Sequence, residues 1–212
     1  MVLGYAGLRG PGDRRLGTAE RKGRERAERE HRIVAAARVI AEREGWDAVT
    51  VRRLADEIEY SQPVLYSHFE NRDAIVAAVA VEGFQEFTAA LREAASGSTG
   101  RRNALKNVAT AYLAFARSRP ALYDAMFVLP TDLRFAEAGT RPELHAAFEA
   151  IAAVVAPFCP DVADVTETFW AALHGLAALD RSGRIRPSAC GKRIALVVRA
   201  IVASGNSSPA RG

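Results

Sequence analysis

Five prolines, at positions 120, 130, 142, 160 and 187, cut the second half of this 212-residue chain into stretches of about one helix each. Proline has no N–H and its ring clashes with the carbonyl four residues back, so helices start or stop at it. Between the prolines, apolar residues recur every three or four positions rather than every two, which is the helical period. The pattern predicts helices near 101–118, 120–128, 142–157, 161–181 and 188–204. Few segments anywhere alternate with period two and none makes a convincing strand. The expected fold class is all-α, without internal repeats.

The first half is punctuated by caps. Residues 1–27 are rich in Gly and Arg and are expected to form a mobile basic tail, although 18–30 is charged enough to lengthen the next helix when bound to a partner. Ile33, Val34, Ala37, Ile40 and Ala41 lay one stripe along a helix from 28 to 44, and Gly45 is its expected stop. Thr50 is a cap for a short helix whose Val51, Leu54, Ala55 and Ile58 mark one buried face. Ser61 starts another, with Pro63 in the first turn, where a missing N–H costs nothing. Asn71 caps a longer helix carrying Ile75, Val76, Val79, Ala80, Phe84, Phe87 and Leu91, which ends in the Ser/Gly-rich stretch 96–100.

Composition narrows the function classes. Apolar residues make up 49% and charged residues 25% of the chain, as in globular proteins generally. No uninterrupted apolar run approaches the roughly 18 residues of a membrane span, and no secretory signal pattern opens the chain, so no membrane partner is expected. Cys159 and Cys190 are too few for a disulfide framework and lack zinc spacing. They read as free thiols in a reducing cytoplasm. The net charge of +4 is spread evenly, with 14 Lys/Arg against 12 Asp/Glu in residues 1–72 and 15 against 13 in the remainder, so charge alone locates no nucleic-acid surface. No GxSxG, HExxH, P-loop or GxGxxG is present, and no histidines or carboxylates share a face at metal spacing. The chain therefore reads as neither an enzyme nor a metal or cofactor protein.

The stretch SQPVLYSHFENRD, 61–73, raises the functional question, because a helix this short and polar is not stable alone. Two short helices joined by about three residues and held by flanking helices are the geometry that sets the second helix in a DNA major groove. Leu65 and Phe69, four apart, are expected to anchor it. Ser61, Gln62, Pro63, Val64, Ser67 and His68 then face outward. The Gln62 amide suits a base edge, and Pro63 and Val64 suit a thymine methyl. Tyr66 and Ser67 offer hydroxyls to phosphates, and the N–H groups at the helix starts of Thr50, Ser61 and Asn71 point positive charge the same way. Arg72 follows a cap, where a cation disfavours a helix, so it reads as a phosphate contact.

At these residues the chain resembles the TetR family of bacterial transcriptional regulators. The resemblance rests on Thr50-Val51, Leu54-Ala55, the turn Glu59-Tyr60-Ser61, the run Leu65-Tyr66-Ser67-His68-Phe69, and Asn71-Arg72-Asp73, and it covers 28–87. The family's turn glycine is here Glu59, so either that position does not need a positive φ or it carries strain. Gln62 and Pro63 replace the usual basic or small residues, so the operator is not readable by analogy.

The second half holds Phe115, Tyr123, Met126, Phe127, Phe148, Phe158, Phe169 and Trp170. Each is explained singly by core packing. Together they are more aromatic mass than six or seven packed helices require, and Phe115, Tyr123, Met126, Phe127, Phe148, Trp170 and His174 are the candidate lining of an apolar ligand pocket. Trp170 and His174 share a helix face, and Gly175 is expected to admit another backbone closely. Trp170, His174 and Gly175 resemble the Trp-His-Gly signature of one type of TetR C-terminal domain. His174 reads as a ligand contact or pH switch, or as a hydrogen-bonded core or interface histidine. Helices 161–181 and 188–204 are apolar nearly all round, and the resemblance implies that they form a homodimer interface.

The expected organisation is a tail at 1–27, a helix-turn-helix DNA-binding domain at 28–87 with its motif at 50–69, a helical ligand-binding and dimerisation domain at 88–205, and a tail at 206–212. The function implied is a cytoplasmic regulator, a repressor that leaves a palindromic double-stranded DNA operator when a small apolar effector binds. The rival is a helical small-molecule-binding protein without functional DNA binding, in which Glu57 and Glu59 repel phosphates.

Overall fold

The computed structural model describes residues 11–131, 133 and 140–204, with the backbone alone for 11–16. The expected C-terminal tail, 206–212, lies outside the described residues, as do 1–10. The described residues form helices and no strand. They divide into two compact units, Met1–Ile75 and Val76–Gly212.

In the first unit α1 spans Pro11–Glu44, α2 Val51–Glu57 and α3 Gln62–Tyr66, and α4 (Arg72–Ser96) supplies its first turn. The expected stripe on α1 is the core: Ile33, Val34, Ala37, Ile40 and Ala41 are all buried, and Leu54, Ala55, Leu65 and Ile75 meet the same fate. Gly45 ends α1 at φ +85°, and a 3-10 turn at Trp46–Ala48 follows. Trp46 and Val49 are buried there, which periodicity did not indicate. The caps are where the sequence puts them: Thr50 Oγ1 accepts from Arg53 N at 3.1 Å, and Asn71 Oδ1 accepts from Ala74 N at 2.8 Å. The tail expected at 1–27 is different, since α1 is already helical at Pro11. Its exposed outer part is laced by Arg21–Glu25 (3.7 Å) and Arg26–Glu30 (2.9 Å), i,i+4 pairs of the kind that favour a polar helix.

In the second unit the rest of α4 is followed by α5 (Arg101–Ser118), α6 (Pro120–Phe127), α7 (Pro142–Val155), α8 (Val162–Arg181) and α9 (Cys190–Ser204). Short 3-10 turns sit at Ala156–Phe158 and Pro187–Ala189. Phe84, Phe87, Tyr112, Tyr123 and Phe169 are the largest fully buried side chains. Phe87 meets Tyr112 and Phe115 edge-on, each at 5.1 Å between ring centres, a geometry worth about 0.5–1.5 kcal/mol beyond area burial. Gly83 makes a notch in α4: a Cβ there would stand 2.7 Å from Met126 Sδ and 2.9 Å from Leu122 Cδ1. Gly175 does not do what its sequence context suggests, because a Cβ there would meet nothing within 4 Å in this chain. On α9, Ile194, Val198 and Ile201 turn inward while Leu196 is 54% exposed.

Candidate DNA-reading surface and ligand cavity

The turn between α2 and α3 closes through Tyr60 N donating to Ala55 O at 3.0 Å, with Glu59 at φ +56°. This is the six-to-one bond of a Schellman ending, and Glu59 holds the left-handed position that glycine usually takes. The open question about that position is thereby answered: it needs the positive φ, and a side chain there is strained.

Beyond the turn, Leu65 is 1% exposed and anchors α3, with Phe69 half-buried behind it. Ser61, Gln62, Pro63, Tyr66 and Ser67 are exposed, Val64 is half-exposed, and Tyr66 shows 54% of its surface. Ser67 Oγ donates to Val64 O at 2.7 Å, so its hydroxyl closes the helix end and its hydrogen is already engaged.

Two expected outward contacts turn inward. The His68 side chain is 4% exposed, and its Nδ1 lies 3.3 Å from Glu30 Oε1 on α1. It ties the end of α3 to the scaffold rather than facing outward. Arg72 Nε donates to Val49 O at 2.8 Å and Nη2 to Trp46 O at 2.6 Å. These carbonyls flank the 3-10 turn, at its first residue and at the residue that caps it, and one guanidinium donates to both at once. The cation after the Asn71 cap is explained by this clasp. Arg52 on α2 is exposed and was not among the sequence candidates.

In the second unit a cavity of ≈ 570 Å³ opens between α6, the segment after it, and α8. Of the expected lining, Met126, Phe127, Trp170 and His174 border it. Tyr123 is buried one layer behind. Phe115 is not at the cavity: it packs on Phe87 with the Arg119 guanidinium 4.8 Å above its ring. Phe148 on α7 does not border it either. Glu167 and Ala171 do, and sequence reasoning missed both. The available signal was spacing, since 167, 170, 171 and 174 share one face of a helix.

A polar relay backs the cavity. Trp170 Nε1 donates to Tyr112 Oη at 3.1 Å, Tyr112 Oη lies 2.9 Å from Tyr123 Oη, and Tyr123 Oη lies 2.7 Å from His174 Nδ1. Burial holds the Tyr112 phenol well above its usual range and pushes Tyr123 up to about 12, so both remain protonated. Burial, then the nearby Arg181 guanidinium, lower the proton affinity of His174. Arg181 itself pairs with Asp124 at 2.7 Å and lies 5.4 Å over the Tyr123 ring, fastening α8 to α6.

Comparison with known proteins decides the family. Residues 33–79 match bacterial regulatory proteins of the tetR family, and residues 105–203 match the tetracyclin repressor-like C-terminal domain. An uncharacterised helix-turn-helix-type transcriptional regulator of Mycobacterium tuberculosis, Rv0681, is 30% identical over 71% of this chain and 69% of its own length. The chain belongs to the TetR family. It is a TetR-family DNA-binding transcriptional regulator with an all-α, helix-turn-helix architecture and a C-terminal domain of the Trp-His-Gly type. Solved structures share the fold. A Rhodococcus protein of unknown function aligns at TM-score 0.68, with 23% identity, over 82% of this chain and 93% of its own. The regulator FadR from Bacillus subtilis in complex with stearoyl-CoA aligns at TM-score 0.60, with 12% identity, over 82% and 98%.

Proposed function

We propose that this TetR-family regulator is a repressor that works as a homodimer and leaves a palindromic operator when an apolar small molecule enters the cavity beside Trp170 and His174. The observation that carries the reading is the build of α3. Leu65 seats it against the scaffold, while Gln62, Pro63 and Tyr66 are left on the outside, an arrangement with no packing benefit. In this reading Gln62 reads a base edge, and Pro63 and Val64 touch a thymine methyl. Tyr66, Ser61, Thr50 and Arg52 contact phosphates. Ser67 contributes as an acceptor or through its main chain, and His68 and Arg72 act as positioning residues that fix α3 and α4 on the scaffold.

The dimer is proposed through α8 and α9. Leu179 is 40% exposed and Leu196 54%, and the open face at Gly175 lies on α8 as well. A two-fold pair sets two reading helices about 34 Å apart, one turn of the duplex. Effector control is supported by the cavity itself and by the stearoyl-CoA held by the FadR neighbour. The division between the units falls inside α4, so one helix belongs to both. Met126 borders the cavity and also fills the Gly83 notch of α4, which makes it the contact through which an occupied cavity biases that helix. Only an effector that binds the two states unequally shifts them.

The reading is tested by selecting bound DNA from a random pool and measuring affinity for the product. Tyr66→Phe is expected to weaken binding uniformly across sequences, and Gln62→Ala to change sequence preference. An unchanged preference removes Gln62 as a base reader. Absence of DNA affinity even at low salt, with a small molecule still bound, favours the helical binding module instead.

A further inference from the structure

The relay behind the cavity has one direction in which every buried hydrogen finds an acceptor. An indole N–H only donates, so Tyr112 Oη accepts from Trp170. The hydrogen of the buried Tyr112 then goes to Tyr123 Oη, 2.9 Å away. Tyr123 in turn points its hydrogen at His174 Nδ1, 2.7 Å away. Nδ1 is therefore the acceptor, and the single ring hydrogen of neutral His174 sits on Nε2. The opposite arrangement, with Nδ1–H donating to Tyr123, leaves one of the two phenol hydrogens, that of Tyr112 or that of Tyr123, without an acceptor in this relay. An unmet buried donor disfavours that state by roughly ten- to a hundredfold.

Nε2 lies across the ring from the relay, and His174 borders the cavity. Nε2–H is therefore the hydrogen this ring can offer a molecule in the cavity, beside the Thr131 hydroxyl that also borders it. Glu167 borders the same cavity two turns earlier on α8, about 10 Å along the axis. It is exposed to solvent, so at that distance its charge is largely screened. Met126, Phe127 and Ala171 supply apolar wall between them.

Resting on the effector reading above, we infer that the cavity takes an apolar molecule whose carbonyl-type oxygen accepts from His174 Nε2–H. Tyr112 and Tyr123 are positioning residues, since they hold the tautomer from behind the cavity, and Trp170 both donates to that relay and borders the cavity.

Two measurements on the full chain test this. In the first, ¹⁵N-labelled histidine is followed by long-range proton–nitrogen correlation at neutral pH, and His174→Phe identifies the His174 signals. The expected form is the Nε2–H tautomer with an unprotonated Nδ1; an Nδ1–H tautomer overturns the inference. In the second, calorimetry measures 2-decanone at pH 7.5 on the wild type and on His174→Phe. The substitution is expected to weaken binding about tenfold. Affinity unchanged by it, or no binding to the wild type, overturns the proposal. Operator binding assayed on the same preparation separates the two failures, because the regulator reading falls only if DNA binding is absent.

Discussion

Glu59 shows how a single residue carries the cost of a turn. Its φ of +56° lies in the left-handed region, where an L side chain is disfavoured by roughly 1–2 kcal/mol and glycine is not. Glycine also loses more chain entropy on folding, so Glu59→Gly is expected to stabilise the protein by about 0.5–1 kcal/mol, read as a higher midpoint in urea unfolding. His174 gives the residue-scale pH dependence. Burial first, and Arg181 second, lower its proton affinity below that of a free imidazole. The unfolded chain therefore takes up this proton at higher pH than the folded chain does. Stability is full above about pH 6.5 and is lost as pH falls through the folded value. The groups around the ring are Tyr123 and, behind it, Tyr112, with Arg181 on its own helix paired to Asp124 on α6. A proton on Nδ1 also reverses the relay. The melting temperature is expected to drop between pH 7 and pH 5, and His174→Phe to flatten that part of the profile.

At the scale of elements, short helices depend on their ends. Thr50 closes the first turn of a seven-residue helix through Arg53 N. Thr50→Ala is expected to cost about 1 kcal/mol, measured by urea unfolding, and to loosen the surface that α2 and α3 share. Element boundaries were legible wherever a cap or a proline wrote them: Thr50, Asn71, Pro120 and Pro142 all stand where the sequence puts a start. The early part of α1 was not legible, because a stretch held by i,i+4 charge pairs has no apolar stripe to betray it. Orientation was harder still. His68 turns in toward Glu30, 38 residues upstream, and Arg72 toward carbonyls of a 3-10 turn that has no periodic signature. The cavity was half legible: Trp170, His174, Met126 and Phe127 stood out by type, whereas Phe115 packs on Phe87, Phe148 does not border the cavity, and a glutamate such as Glu167 carries no signal by type.

At the scale of the molecule, the proposed DNA surface lies in one unit and the cavity in the other, with α4 common to both. A palindrome can be read only by a pair of chains, so the exposed Leu196 on α9 is a test of the whole. Leu196→Glu is expected to yield monomers in sedimentation velocity and to weaken operator binding at least tenfold with the fold intact by circular dichroism. The most direct measurement is the salt dependence of binding to DNA selected from a random pool. Enrichment of an inverted repeat is expected, with an affinity that falls steeply and log-linearly with salt, one decrement of about 0.9 in slope for each phosphate neutralised. No enriched sequence, or affinity indifferent to salt, would contradict operator binding.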